Sequence, residues 1–192
     1  MIKTDPQIAI EKATELYWEK GFHATSMRAL QEKIDMRPGS IYAAFGSKEG
    51  LFKRVLEHYA DQSLALLATY RQQHESPLQA IKSFVHFAVI ERAHTAPNEM
   101  CLLVKSISEL TEENNADLLA TAKQALAQIE SAMADFFRAA IEAGEIDAKQ
   151  DPQSLASMLQ VHIIGLRTYR RLCQDKQRML DMIDHYFAQF DL

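Results

Sequence analysis

The sequence predicts an all-α protein, and three observations support this fold class. Its 192 residues include only 6 glycines and 5 prolines, whereas the helix-favouring residues Ala, Leu, Gln, Glu and Lys are plentiful. With 47% hydrophobic and 24% charged residues, the composition is that of an ordinary globular protein. Apolar residues also recur at helical spacing along most of the chain. We therefore expect nine helices, three short and six longer.

The first three predicted helices are short and follow one another closely. Helix one carries an apolar stripe and ends at Gly21, because glycine is favoured just after a helix. Ser26 is a good N-cap residue for helix two, which runs to about Ile34. Pro38 begins helix three, and Gly46 closes it. A helix this short is marginal in isolation, so packing must hold helix three, and we expect it to present side chains to a partner.

The remaining six predicted helices are longer and are separated by clear breaks. Ser47 and Ser76 are N-cap residues, the segments HTAPNE and TEENN are polar loops, and Gly144 and Pro152 flank the break before helix eight. The predicted helices span residues 48–70, 77–93, 100–110, 118–141, 152–172 and 176–190.

The charges are unevenly distributed along a chain whose net charge is −5. Residues 28–54 contain six basic and three acidic residues, which is a weak indication of an anionic partner. The N-terminal stretch lacks the continuous apolar region of a secretory signal, and no apolar run approaches the roughly 20 residues that span a bilayer. We therefore expect a cytoplasmic protein without a membrane role.

The sequence offers little support for an enzyme. It contains no HExxH, GxSxG, GxxxxGK or CxxC motif, and its seven histidines are scattered over different predicted helices. Cys101 and Cys173 are far apart and lack metal-ligand spacing, which suits a reducing compartment. His86 and His162 lie on apolar faces, where core histidines are more common than metal ligands. We expect no catalytic residues, no metal and no cofactor.

Helices two and three form a helix-turn-helix, a motif whose second helix enters the major groove of DNA. The residues Gly21-Phe22, TSMR at 25–28 and PGSIYAAFGSKE at 38–49 resemble the N-terminal signature of the TetR family of transcriptional regulators. The resemblance covers about the first 55 residues, while the remainder matches only in its helix pattern. It implies a helix-turn-helix DNA-binding domain at 3–63, with its recognition motif at about 26–45. A six-helix effector-binding and dimerisation domain would occupy 64–192.

The family pattern and side-chain chemistry together give the candidate DNA-binding residues Thr25, Arg28, Arg37, Pro38, Gly39, Ser40, Tyr42, Ala43 and Lys48. An arginine can pair with the edge of guanine, although phosphate contact or simple solvation is as common for any single arginine. In the family, the positions of Tyr42 and Lys48 usually contact phosphates. Many relatives carry larger residues where this chain has Ala43 and Ala44, and Gly50 stands where a glutamate would complete a capping box. The operator sequence therefore cannot be predicted.

The resemblance also implies a homodimer in which the last two helices of each subunit form a four-helix bundle. Two subunits would place two recognition helices in successive major grooves. The apolar residues expected at this interface could equally be ordinary core. They are Leu155, Leu159, His162, Ile163, Leu166, Tyr169, Ile183, Tyr186, Phe187 and Phe190.

The resemblance implies a pocket for an unknown small-molecule effector among helices four to eight, where a bound ligand would change the spacing of the two recognition helices. Its candidate lining residues are of types that also fill helical cores. They are Phe84, Phe87, Met100, Cys101, Val104, Met133 and Phe137.

These features predict a homodimeric transcriptional regulator, a repressor released from a palindromic operator by its effector. Two alternatives stay open. Cys101 lies at the start of helix six with Lys105 one turn on, which favours a reactive thiolate and a redox- or electrophile-sensing regulator, although free cysteines are also commonly buried. A helical adaptor without DNA binding is the other alternative, and the retained Arg28, Arg37 and Lys48 argue against it.

Overall fold

The protein is all-α, as its sequence predicts. A computed structural model describes residues 5–92 and 96–190, and within these ranges there are nine α-helices and no β-strand. The helices are α1 Pro6–Lys20, α2 Met27–Ile34, α3 Pro38–Phe45, α4 Lys48–Gln73, α5 Pro77–His86, α6 Leu102–Glu109, α7 Glu112–Glu142, α8 Pro152–Tyr169 and α9 Lys176–Phe187. In the described ranges, none of the helices combines the length and the hydropathy that a membrane span requires.

Most helix ends lie where the local sequence signals place them. Ser26 caps α2 by accepting a hydrogen bond from the Ala29 amide, and Ser76 caps α5 in the same way. Gly144 follows α7 with a φ of 75°, the left-handed conformation that glycine adopts at least cost. These signals act within a few residues, so they can be identified from the sequence alone.

Several helices differ from the predicted ranges, among them α5, α7 and α8. Helix α5 is followed by a π-helical segment, Phe87–Glu91, and its predicted end at Ala93 lies outside the described residues, as do residues 3 and 192, the outer limits of the predicted domains. The predicted TEENN loop is a kink in α7, because Asn115 has non-helical angles (φ −144°, ψ 39°) while the chain on either side is helical. Helix α8 ends at Tyr169, three residues before its predicted end.

The chain divides into two compact units. The first contains the described residues up to Gln62 together with Cys101–Leu126, and the second contains the described parts of 63–100 and 127–192. Residues 101–126, which the sequence assigned to the C-terminal domain, therefore pack with the N-terminal helices. Both α4 and α7 continue from one unit into the other.

An aromatic cluster forms the centre of the first unit. The ring centroids of Tyr17 and Phe52 are 4.6 Å apart, and those of Phe22 and Phe52 are 5.0 Å apart. Leu30 of α2 and Ile41 of α3 are completely buried. Burial of these apolar side chains stabilises the two short helices, which would not be stable alone.

Candidate nucleic-acid interface

A tight turn joins α2 to α3. Asp35 ends α2 in the left-handed conformation (φ 58°, ψ 47°), which a short polar side chain tolerates. The amides of Asp35 and Met36 both donate to the carbonyl oxygen of Gln31. Arg37 is the N-cap residue of α3, and Pro38 occupies its first position, where the absence of an N–H costs no hydrogen bond. The turn thus fixes where α3 begins.

Helix α3 has one buried face and one exposed face. Ile41 faces the core and is fully buried, whereas Tyr42 has 49% of its surface exposed. Of the predicted DNA-binding residues on and before this helix, Ser40 is half-buried, and the others are exposed: Arg37, Pro38, Gly39, Tyr42 and Ala43. A Cβ atom added to Gly39 would meet no atom within 4 Å, so the protein's own packing does not require glycine there.

Arg28 lies on the exposed side of α2. Its side chain is 88% exposed, and its Nε donates to the Glu32 carboxylate one turn away at 3.0 Å. An exposed ion pair at this spacing contributes only a few tenths of a kcal/mol, roughly 0.3–0.5. Arg28 can therefore exchange this partner for another anion at little cost.

Thr25 differs from its prediction as a DNA contact. Its side chain is fully buried, and its hydroxyl donates to the main-chain carbonyl of Gly21. The hydroxyl group thus closes the turn after α1 and cannot reach a ligand outside the protein. We correct its assignment to a structural residue.

Lys48 has a main-chain partner inside the protein. Its ammonium donates to the carbonyl oxygen of Phe22 at 2.7 Å and lies 4.3 Å above the Phe22 ring. Burial lowers the pKa of this lysine, an effect that the charges of Glu49 and Glu109 oppose. The ammonium therefore has a main-chain partner inside the first unit, and its assignment as a phosphate contact stays a prediction.

Gly50 has a packing role that sequence reasoning missed. The Gly50 amide donates to the Ser47 hydroxyl at 3.0 Å, so the serine cap of α4 is formed without a capping box. A Cβ atom added to Gly50 would overlap the carbonyl oxygen of Phe45, the last residue of α3. Glycine at this position lets α4 start directly against the end of α3.

Two charged residues of α6 bind main-chain groups of α1 and the turn after it. The Lys105 ammonium donates to the carbonyls of Trp18 and Glu19 at 3.1 and 2.7 Å, in the last turn of α1, where helix carbonyls lack intrahelical partners. The Glu109 carboxylate accepts hydrogen bonds from the amides of Phe22 and His23. We refer to the contacts of Lys105 and Glu109 as the α6 clamp.

Sequence reasoning missed the α6 clamp because its partners lie 86 or more residues away in the chain. The sequence predicts that α1 ends at Gly21. The α6 clamp gives a second reason why this position holds a glycine. Its φ is 88°, and an added Cβ would overlap the Glu109 carboxylate. The clamp connects a segment of the predicted C-terminal domain to the helix-turn-helix within one unit.

The residues predicted to line an effector pocket are divided between the two units. Phe84, Met133 and Phe137 are buried in the second unit, where Phe87 and Met100 are half-buried; Val104 and Cys101 belong to the first. Their assignment to one pocket stays a prediction. Among the described residues, no three His, Cys, Asp or Glu side chains form a group that could hold a metal ion.

Cys101 is the N-cap residue of α6, one position before the helical turn to which it was predicted to belong. Its side chain is half-buried and makes no capping hydrogen bond. The ammonium of Lys105, which was expected to favour the thiolate, is instead directed at the carbonyls of α1.

The residues predicted for a dimer interface separate into core and surface. Leu155, Leu159, Leu166, Ile183 and Phe187 are buried within the subunit, so their side chains are not available to a partner, and we correct their assignment to core. His162, Ile163, Tyr169, Tyr186 and Phe190 are half-buried.

Helix α8 also has an exposed apolar face, and of its residues only His162 was predicted for the interface. Met158 and Val161 are 55% and 69% exposed. Together with His162 and Gly165 they recur at the i, i+3, i+4, i+7 spacing of one helix side. On α9, Met182 is also exposed.

The family models and the relatives that this chain matches are those of transcriptional regulators. The family model for bacterial regulatory proteins of the tetR family matches residues 9–55, and the model for a tetracyclin repressor-like C-terminal domain matches residues 77–186. The HTH-type transcriptional repressor ComR of Escherichia coli K12 is 29% identical over 170 residues, which cover 84% of this chain and 77% of ComR. The HTH-type transcriptional regulator UidR of the same strain is 30% identical over 140 residues, covering 71% and 66% of the two chains.

Solved structures give the same result for the fold. A cysteine mutant of the TetR family transcriptional regulator CifR, complexed with 26-bp double-strand operator DNA, matches with a TM-score of 0.83 and 26% identity over 96% of each chain.

Proposed function

Because this chain belongs to the TetR family and is a transcriptional regulator with a DNA-binding helix-turn-helix, we propose that it is a homodimeric repressor released from a palindromic operator by a small-molecule effector. Members of this family are regulators and not enzymes, in line with the lack of catalytic motifs in the sequence. The observation that carries the proposal is the exposed face of α3. It combines the guanidinium of Arg37, the small residue Gly39 at the start of the helix and the phenol hydroxyl of Tyr42.

The chemistry of this face suits the major groove. Arg37 can donate two parallel hydrogen bonds to the O6 and N7 atoms of a guanine or bind a phosphate. Gly39 lets the backbone approach closely, and the Tyr42 hydroxyl can donate to a phosphate oxygen. Arg28 adds a second exposed guanidinium on α2. The buried side chain of Thr25 is not part of the proposed contact set, whereas Lys48 stays in it as a phosphate contact.

The apolar face of α8 supports the dimer. One recognition helix makes too small a contact for specific binding at physiological salt, so two subunits are needed. Met158 and Val161 expose apolar surface on a helix whose other side already fills the core. Pairing this face with its copy in a second subunit would remove that surface from water, which is the main driving force for association.

The α6 clamp supports a route by which an effector acts. The clamp fixes the end of α1 and the following turn, and the same unit carries α2 and α3. An effector that favours a different position of α6 therefore disfavours the arrangement that binds DNA. By linkage, effector and operator weaken each other's binding by the same factor.

The first test uses Arg37→Ala and, as a matched control, Arg138→Ala, which removes an exposed arginine of α7. Binding to the DNA flanking the protein's own gene is measured at two salt concentrations with excess unrelated DNA. We expect the Arg37 variant to lose about tenfold or more in specific affinity with unchanged helicity, and the control to bind like the wild type. Unchanged affinity would remove Arg37 from the contact set. If the wild type showed no preference over unrelated DNA, the adaptor alternative would gain support.

A redox- or electrophile-sensing mode of the same regulator is a second proposal, favoured by the position of Cys101. This half-buried thiol starts α6, the helix that carries the clamp, so its modification would act on α6 directly. Cys101→Ser should abolish DNA release by mild oxidants, whereas Cys173→Ser, which removes the other half-buried thiol, should not. Release that persists in the Cys101 variant would disprove this mode.

A further inference from the structure

Arg167 is a buried cation that has no anionic partner among the described residues. It lies in the last turn of α8, and only 6% of its surface is exposed. Its Nε donates to the main-chain carbonyl of Glu99 at 2.8 Å, while its Nη2 is buried and finds no hydrogen-bond partner in the part of the chain that the structure describes. Arg167 takes part in none of the ion pairs that the described residues form.

This arrangement is unfavourable for the fold by itself. A guanidinium stays protonated at any physiological pH, so it cannot escape burial by losing its charge. A buried charge without a counter-ion costs free energy, and a buried donor without an acceptor adds to that cost. An apolar side chain of similar length would fill this part of the core at a lower cost in free energy. The site therefore has an unmet requirement for an anion.

The surroundings reinforce the positive charge. Arg170 donates from Nη1 to the carbonyls of Val89 and Ile90, both at 2.8 Å, and Nη1 of Arg171 lies 3.9 Å from the Met100 sulfur. Three guanidinium groups thus lie within five residues of α8 and its end. Val89 and Ile90 belong to the π-helical segment, a type of helix irregularity that is frequent at functional sites.

The acidic residues nearby do not neutralise Arg167. Glu99 contributes its main-chain carbonyl to the arginine, and neither its carboxylate nor that of Glu91 forms an ion pair with Arg167 in the described chain. The charge of Glu91 instead acts on Tyr70, where it adds to the effect of burial in raising the pKa of the phenol.

We propose that Arg167 is the recognition group for a carboxylate on the small-molecule effector. This inference rests on the proposed function, because it names the chemical class of that effector. A carboxylate can accept two parallel hydrogen bonds from the guanidinium edge and supplies the missing counter-charge. The missing counter-charge is a single one, which a monoanion such as a carboxylate supplies.

Carboxylate binding would draw the arginine away from Glu99. Because Nη2 is closed to solvent in this structure, the ligand selects a conformation in which the segment around Glu99 has moved. Glu99 lies two residues before Cys101 in the chain, so release of its carbonyl acts on the main chain that leads into α6.

Thermal unfolding of the full chain tests the inference without DNA. Acetate, benzoate and octanoate are each compared with the corresponding amide at equal ionic strength, and inorganic phosphate forms a further arm. We expect at least one carboxylate to raise the Tm above the effect of its amide. Arg167→Gln should weaken binding of that carboxylate about tenfold or more, whereas the matched control Arg138→Gln, which changes an exposed arginine of α7, should not. The inference fails if no carboxylate exceeds its amide, if the Arg167 variant responds like the wild type, or if phosphate alone stabilises.

A second variant separates ligand recognition from a structural role. Arg167→Met removes the charge but keeps an apolar chain, so the ligand-free protein should unfold at the same or a higher temperature. A lower Tm or a failure to fold would assign Arg167 to the stability of the core and overturn the inference. Operator binding by the wild type is measured separately. If it is absent, the proposed function fails, whereas operator binding without an Arg167-dependent carboxylate effect defeats only this inference.

Discussion

Helices α3 and α8 each bury one side and expose the other, but the exposed sides differ in chemistry. The exposed side of α3 carries Arg37 and Tyr42, while that of α8 carries Met158 and Val161. A cationic and polar surface gains most from an anionic partner, and an apolar surface gains most from another apolar surface. The two faces thus point to different partners, and each can be changed by substitutions that lie outside the other.

Val161→Glu should produce the largest effect, because it places a charge in the centre of the α8 face. A charge buried at an interface without a partner prevents association, so we expect monomers and a loss of operator affinity of about 100-fold or more. Sedimentation and operator binding measure the two effects. Gln124→Glu, on an exposed position of α7, controls for the added charge and should remain dimeric. A dimeric Val161 variant would mean that α8 does not form the interface.

Substitutions of Gly39 and Gly50, which lie on and beside α3, separate the effect of this helix on DNA binding from its effect on stability. Gly50→Ala should destabilise the protein by roughly 1–3 kcal/mol, because the new methyl group overlaps the Phe45 carbonyl. Gly39→Ala should leave stability unchanged or raise it by up to about 1 kcal/mol, because its surroundings are open and alanine favours helices. The same Gly39 variant should bind operator more weakly. Thermal unfolding and DNA binding measured on both proteins check this, and full operator affinity in the Gly39 variant would contradict close approach of the α3 start.

The smallest expected effect is a pH dependence of folding stability that arises from His162 on the α8 face. Burial lowers the pKa of His162 below its ordinary value near 6.5, its Nε2 is buried without a partner, and its ring stacks on Tyr186 at 4.7 Å. The folded state therefore binds fewer protons than the unfolded state below pH 6.5, and stability falls as the pH drops through the folded pKa. Because the ring is half-buried, we expect less than ~1 kcal/mol.

Unfolding of the wild type and of His162→Phe, followed from pH 7 to pH 5, measures the contribution of His162. Burial raises the pKa of Tyr186 to about 12, so the stacked phenol stays neutral throughout this range. Parallel pH profiles for the two proteins would show that His162 is not responsible.

The helices could be predicted because their signals are local. Gly21, Ser26 and Pro38 each mark a helix boundary through their own backbone preference or a hydrogen bond within three residues. Such preferences do not depend on where the rest of the chain lies. The order and spacing of these residues also carried the family resemblance, which the family models confirm.

Side-chain environment could not be predicted in the same way. Lys48 and Arg37 are both basic residues beside α3, yet only Lys48 finds a carbonyl, that of Phe22, to which it can bind inside the protein. Leu159 and Val161 are both apolar residues on α8, and which of them faces the core depends on the helices that pack against it. These outcomes are set by residues distant in sequence, which a local pattern does not specify.

The Glu109 carboxylate has a consequence for the timescale of motion in the first unit. It holds the amide protons of Phe22 and His23, which a turn on the surface would otherwise offer to water. Those two protons can exchange with deuterium only while the Glu109 carboxylate has released them. Their exchange rates therefore measure how often the α6 clamp opens at Glu109.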